Sequence, residues 1–360
     1  MAANPQVVPE SVSPAHSADS LLRVESLAVY LALALGAVGA LVGVIFTRVD
    51  QHPPLAGPGS FGLFAAWSAT VVTAVISGVG YWRSRNRQGQ EWRLEIATWT
   101  AWVNTLSVVV VHSALAFLAT YAAYLLLALG LIGLPVSSFL GAVLMAITFG
   151  LAAYLTFPSV ARMTTQRAAT LLMSFVFMGT LTSAVTSSDP VWWKEHFSQL
   201  GTYNDVSSWI FNGTLIAGGL LVTTFAVYVS HDMHALLAQG RLSDKSSPRL
   251  VSGLFVAMGA GLAGVGLVPV DVSFWIHTIS ASGMAVIYIV LLVRGRRHLG
   301  GMPPTYFTAV WCFLATLIAV VVLYATKNLS LTALEVTVFA LIFGWITVFI
   351  RFLGLAGDRD

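Results

Sequence analysis

The sequence predicts an all-α integral membrane protein: a polytopic bundle of about ten transmembrane helices with cytoplasmic N- and C-termini. Three observations predict this class. The chain is 57% hydrophobic and only 9% charged, whereas soluble domains carry roughly 25% charged residues. Its apolar runs reach the roughly 20 residues needed to cross a hydrocarbon core. Its basic residues stand in small groups between those runs, which is typical of loops rather than of a nucleic-acid surface.

The apolar runs define the elements in order. Residues 1–22 are rich in Ala, Ser, Pro and Val without periodicity, which predicts a disordered cytoplasmic tail. Ten spans are then predicted at about 24–47, 59–82, 94–132, 139–157, 168–186, 209–230, 250–268, 274–293, 305–325 and 332–353. The run from Leu94 to Ile132 is too long for one span and has no turn for two. Because Trp99 and Trp102 lie near its start, we expect an interfacial or tilted lead-in at 94–109.

These runs predict a domain organisation. An N-terminal four-span region covers 23–165, a six-span membrane domain covers 166–353, and a cytoplasmic tail covers 354–360.

The basic residues predict the orientation. With the N-terminus inside, the inner segments hold fifteen of the eighteen Lys and Arg residues, and only Arg48, Lys194 and Lys327 lie outside. This bias follows the positive-inside rule, and it requires that the 94–132 run cross the membrane once.

Several function classes find no support in the sequence. The single cysteine, Cys312, excludes an intrachain disulfide and thiolate-built zinc sites. No phosphate loop, dinucleotide fingerprint or His-Glu-x-x-His motif is present. No cofactor is therefore predicted, and nucleic acid is not expected as a partner.

Polar residues gather on the predicted outer side, in or beside the 187–208 loop and at the ends of later spans. This outer polar cluster comprises Asp189, His196, Asp205, Asn212, Asp271, His277 and Glu335. Ionisable groups within spans are costly and so become candidates for function, although groups near an interface also reach water cheaply. His196, His277, Asp271 and Asp189 are the catalytic candidates, and the first three are candidate ligands of a divalent metal. Trp192, Trp193 and Trp209 beside them indicate an aromatic belt.

Two other patterns stand out. His231 and His234 have metal-compatible spacing on one helical face, although exposed histidines at the inner mouth of a span are common. Gly259, Gly261 and Gly264, with neighbouring small residues, predict a helix that packs closely against others.

A set of residues in the C-terminal half carries a family resemblance: Asp189, the box Phe197-Ser198-Gln199-Leu200-Gly201, Phe211-Asn212 with Gly218, and Gly266 and Pro269 with Asp271 and His277. On these residues the chain, from about Ala168 to Phe352, resembles the six-span membrane family catalogued as domain of unknown function 998, a distant relative of the Frag/DRAM/Sfk proteins, which include lipid-anchor remodelling factors. The resemblance implies a six-helix domain whose outer loop packs near His277. It implies little about activity.

The sequence thus leads to a lipid-handling protein, or a subunit or assembly factor of a membrane or envelope complex, in a bacterial cytoplasmic membrane. Its expected partners are membrane lipid and protein subunits. Two alternatives stay open: a membrane-embedded hydrolase or transferase with an outer His/Asp site, and a secondary transporter.

Overall fold

The computed structural model describes residues 14–50, 53–242 and 244–357, and these segments contain ten long α-helices and no strand. The helices are α1 (Pro14–Val49), α2 (Phe61–Ser84), α3 (Thr98–Gly130), α4 (Ser138–Ala161), α5 (Thr165–Thr186), α6 (Val206–Ala238), α7 (Ser247–Leu267), α8 (Phe274–His298), α9 (Pro304–Ala325) and α10 (Leu331–Gly357). Three 3-10 helices occupy Glu91–Leu94, Trp192–Lys194 and Phe197–Gly201.

All ten α-helices contain a stretch long and apolar enough to cross a membrane. The prediction of about ten spans is therefore confirmed for the described residues, and the protein is an integral membrane protein. The cytoplasmic placement of both termini stays a prediction.

The boundaries of the two predicted tails differ from the structure. The helix α1 begins at Pro14, inside the predicted tail 1–22, because proline is well suited to a first helical position and the apolar span continues the helix. Residues 1–13 lie outside the described part. At the other end α10 continues to Gly357, inside the predicted tail 354–360, and residues 358–360 are not described.

The lead-in predicted at 94–109 is not a separate element. After the short helix Glu91–Leu94, α3 runs without a break for 33 residues, a length of about 50 Å. That exceeds a hydrocarbon core of roughly 30 Å. Tilting or protrusion must absorb the difference, so the predicted shallow depth of Trp99 and Trp102 stays a prediction.

The chain divides into two compact units, each built from two stretches of sequence. Unit 1 comprises Met1–Gly80 and Ala119–Arg162, and unit 2 comprises Tyr81–Leu118 and Met163–Asp360. The division at Met163 is close to the predicted boundary at 165/166. The sequence did not indicate that Tyr81–Leu118 belongs with the second unit.

Close helix packing dominates unit 1, where α1 lies against α4. A Cβ on Gly39 would lie 2.5 Å from the carbonyl oxygen of Met145, and one on Gly43 would lie still closer to that of Gly141. Small residues thus allow the two backbones to approach. Arg162 at the end of α4 adds an ion pair with Glu25 of α1, with 2.7 Å between Nη2 and Oε1.

Unit 2 is organised around α6 and α7, which meet in the same way. A Cβ on Gly219 would lie 2.4 Å from the carbonyl oxygen of Gly259, whereas Gly261 and Gly264 lie against side chains of α8. The prediction of α7 as a packing helix is confirmed. Phe255 of α7 also stacks on Trp345 of α10, with ring centroids 6.0 Å apart.

Candidate functional site

The predicted outer loop of unit 2 is an ordered structure with its own hydrogen bonds. Asp205 is the N-cap of α6: one carboxylate oxygen accepts from the Ser208 N–H at 2.9 Å, and the other accepts from the Ser188 hydroxyl at 2.6 Å. Partial burial opposes ionisation of Asp205, but these hydrogen bonds outweigh it and lower its pKa. Asp205 therefore ties the start of the loop to the start of α6.

Two further residues of the outer polar cluster hold the middle of the loop. The Phe197 N–H donates to the Glu335 carboxylate at 2.6 Å, and the Asn212 side-chain amide donates to the Gly201 carbonyl at 2.9 Å. The Phe197 ring also packs on Phe211, with centroids 5.3 Å apart. These contacts join the Phe197–Gly201 helix to both α6 and α10, so Glu335 and Asn212 act as loop anchors.

The four catalytic candidates have different surroundings. Asp189 accepts from the Tyr203 hydroxyl at 2.7 Å, and this bond together with one from the Val191 N–H lowers its pKa. His277 is buried, and its Nδ1 lies 3.0 Å from the Val268 carbonyl oxygen. Asp271 is exposed.

His196 is partly buried and lies within electrostatic range of His277. Partial burial lowers the pKa of His196, and the neighbouring His277 lowers it further, whereas Glu195 raises it. Its Nδ1 is 3.2 Å from the Ser198 hydroxyl. The approach of Asp271 to this pair stays a prediction. Across the part of the chain described, no three His, Cys, Asp or Glu side chains are grouped so that they could hold a metal ion.

A second site, which the sequence did not predict, lies near the C-terminal end of α6. It is an open cavity of about 480 Å³. The polar and aromatic residues that line it are Trp92, Glu95, Thr100, Ser230, His231, His234 and Ser252. The apolar residues that line it are Ile96, Ala226, Val227 and Val256. We call this space the α6 cavity.

Trp92, on the short helix before α3, lines the cavity through its indole ring. Its ring stacks on the His231 imidazole, with centroids 4.1 Å apart and planes 11° from parallel. It also forms a T-shaped contact with the Tyr228 ring, with centroids 5.1 Å apart. These contacts fasten the short helix to α6 and shape the cavity.

The two histidines of α6 both line this cavity, and the aspartate between them does not. Asp232 accepts a hydrogen bond from the Thr165 hydroxyl at 2.5 Å, which joins α6 to α5. The His234 Nδ1 lies 2.7 Å from the Ser230 carbonyl oxygen, one turn earlier. Their spacing of three therefore places the imidazoles on a shared wall. The signal that the sequence offered was this spacing of His231 and His234. Trp92, which stacks on His231, lies far away along the chain.

A family model described as "Protein of unknown function (DUF998)" matches residues 168–351, just over half of the chain. The chain belongs to this family. The DUF998 region contains the whole outer loop with Asn212 and Glu335, and the α6 and α7 walls of the cavity. Trp92 and Glu95, which complete the α6 cavity, lie outside the DUF998 match. Comparison with curated proteins and with solved structures found no match.

Proposed function

We propose that the protein is a lipid-handling membrane protein that binds one phospholipid headgroup in the α6 cavity, as part of a membrane or envelope complex. The observation that carries the proposal is the change in lining along α6 and α7. Ser230, His231, His234 and Ser252 line the cavity towards the connected ends of these two helices, and the aliphatic Ala226, Val227 and Val256 line it about one turn further from those ends. Its volume of about 480 Å³ falls within the roughly 300–1,000 Å³ of small-molecule sites.

The lining favours a zwitterionic headgroup. Glu95 is an exposed carboxylate beside the Trp92 ring, and this pair suits an ammonium group through charge and cation–π attraction. The Ser230 hydroxyl and the His231 imidazole supply donors for a phosphate, whereas the Ser252 hydroxyl and the His234 Nδ1 are already engaged with the Pro248 and Ser230 carbonyls. The aliphatic side chains of the lining then receive the first methylenes of the acyl chains.

The position of the cavity along the chain agrees with a site at a membrane surface. It lies at the end of α6 that leads into a basic connecting segment. Tryptophan, which lines the cavity, is an amphipathic residue typical of the headgroup level of a membrane. If the predicted orientation holds, this surface is the inner one of a bacterial cytoplasmic membrane. The ligand is then a lipid of the cytoplasmic leaflet.

The test is lipid retention. The protein is purified in mild detergent, and bound phospholipid per polypeptide is measured by native mass spectrometry and lipid extraction. We expect wild type to retain about one phosphatidylethanolamine and Trp92→Ala to lose it, because the stacked wall is gone. Trp99→Ala, which removes an exposed tryptophan of α3 that does not line the cavity, serves as the matched control and retains the lipid.

The proposal fails if wild type retains no phospholipid, or if Trp92→Ala and Trp99→Ala retain equal amounts. Glu95→Gln adds a test of headgroup choice. It weakens retention of phosphatidylethanolamine relative to phosphatidylglycerol, since only the former carries the ammonium group that needs a carboxylate.

A further inference from the structure

A buried arginine lies beside the α6 cavity without a carboxylate partner. Arg93 is only 5% exposed. Its guanidinium donates to the Tyr81 carbonyl at 3.0 Å and to the Ser84 hydroxyl at 2.7 Å, and it lies over the Tyr81 ring. The carbonyl belongs to the C-terminal turn of α2, where the helix dipole offsets part of the positive charge. The ion pairs found among the described residues do not include Arg93.

The Asp232 carboxylate of α6 is engaged elsewhere, because it accepts from the Thr165 hydroxyl. The Tyr228 and Tyr81 hydroxyls hydrogen-bond to each other, with 3.1 Å between their oxygens. A buried charge without an opposite charge beside it is destabilising. An anion beside Arg93 would offset that cost.

A second guanidinium and a buried amide line the same small space. This space is bounded by Tyr81, Trp82, Arg85, Arg93, Ile96, Ala101, Asn104 and Thr105. The Arg85 Nε is buried and lacks a hydrogen-bond partner, while its guanidinium lies 3.6 Å over the Trp82 ring. Asn104 of α3, which is 3% exposed, lines the same space. One buried N–H without a partner and two further donor-bearing side chains therefore line this space.

We propose that this space is a binding site for a small inorganic anion such as chloride, held by Arg85, Arg93 and Asn104. The accessible volume is about 10 Å³, which is room for roughly one water-sized occupant. A phosphate or a lipid headgroup is too large. Because donors and positive charge line the space and carboxylates do not, a monatomic anion satisfies it better than a cation.

The consequence of occupancy is local. An anion between Arg93 and Asn104 fastens the short helix Glu91–Leu94 to the start of α3. This inference does not depend on lipid binding, since the space shares Ile96 with the α6 cavity but none of the three residues proposed to hold the anion.

The decisive experiment uses the full-length protein in detergent. Its unfolding temperature is measured while sodium chloride replaces sodium gluconate at constant ionic strength, so that general screening is unchanged. We expect a saturable rise with chloride, because a ligand that binds only the folded state stabilises it. Crystals grown in bromide should show an anomalous peak within hydrogen-bond distance of the Asn104 amide nitrogen.

The variant Asn104→Leu removes the amide at similar volume, and we expect chloride affinity to fall about tenfold or more, as for loss of a hydrogen bond to a charged group. Asn86→Leu makes the same change at an exposed asparagine near the end of α2 and leaves the chloride response unchanged. If Asn104→Leu does not fold, the bromide peak in wild type decides. Equal unfolding temperatures in the two salts, or electron density without an anomalous signal, mean that the space holds only water and overturn the proposal.

Discussion

Removing the Glu335 carboxylate should release the outer loop of unit 2. Its oxygen accepts from the Phe197 N–H at 2.6 Å, in a partly buried position where water replaces it poorly. A hydrogen bond to a charged group contributes about 1.5–3 kcal/mol. Since each 1.4 kcal/mol is a factor of ten, the opening equilibrium at Phe197 should rise by about 10- to 150-fold in Glu335→Ala.

Hydrogen exchange of the Phe197 amide measures this directly, because exchange of a protected amide follows the local opening free energy. Glu335→Gln keeps an acceptor without the charge and should fall between wild type and Glu335→Ala. Glu195→Gln removes an exposed carboxylate from the same loop and should leave the exchange rate unchanged. A Phe197 rate in Glu335→Ala within about twofold of wild type would show that the carboxylate does not anchor the loop, against the magnitude expected for such a bond.

Two further predictions concern packing and pH. Gly219→Ala brings a Cβ to 2.4 Å from the Gly259 carbonyl oxygen and should cost about 1–3 kcal/mol of stability by overpacking. The control is Gly253→Ala, whose added Cβ has nothing within 4 Å and should not lower the unfolding temperature. Equal effects of the two substitutions would contradict close α6–α7 packing. The folded pKa of His196 lies below its ordinary value, with burial and then His277 as the lowering causes, so below a pH of about 6.5 the unfolded chain binds more protons. The stability that neutral His196 contributes to the folded state is present above that pH and is lost as pH falls through the folded pKa. On acidification, wild type should therefore lose more stability than His196→Gln. Parallel curves of stability against pH for the two proteins would refute this prediction.

The spans could be predicted from sequence because a length of apolar chain is a local property. The same local reasoning placed Glu335 and Asn212 in an outer polar set. It could not name their partners: the Glu335 carboxylate meets the Phe197 N–H, a backbone group that has no sequence signature and lies 138 positions away. Polar residues at span ends mark where anchoring groups are available, whereas helix packing decides which groups meet.

The α6 cavity was missed for a related reason. Trp92 lies between two spans, where a tryptophan indicates an aromatic belt, and His231 lies at the mouth of another. Their stacking depends on the placement of Tyr81–Leu118 in unit 2. No periodicity in either segment reveals that placement, because it depends on which distant parts of the chain pack into the same compact unit.

That connection has a consequence for biosynthesis. The stretch Tyr81–Leu118 leaves the ribosome before any of Met163–Asp360, yet both belong to one compact unit. Trp92 therefore waits for its stacking partner His231 while more than a hundred later residues are translated, and Tyr81 waits as long for Tyr228. During that interval the early stretch is a nascent membrane segment with an incomplete burial shell, which is the stage at which insertion factors and chaperones act on polytopic chains.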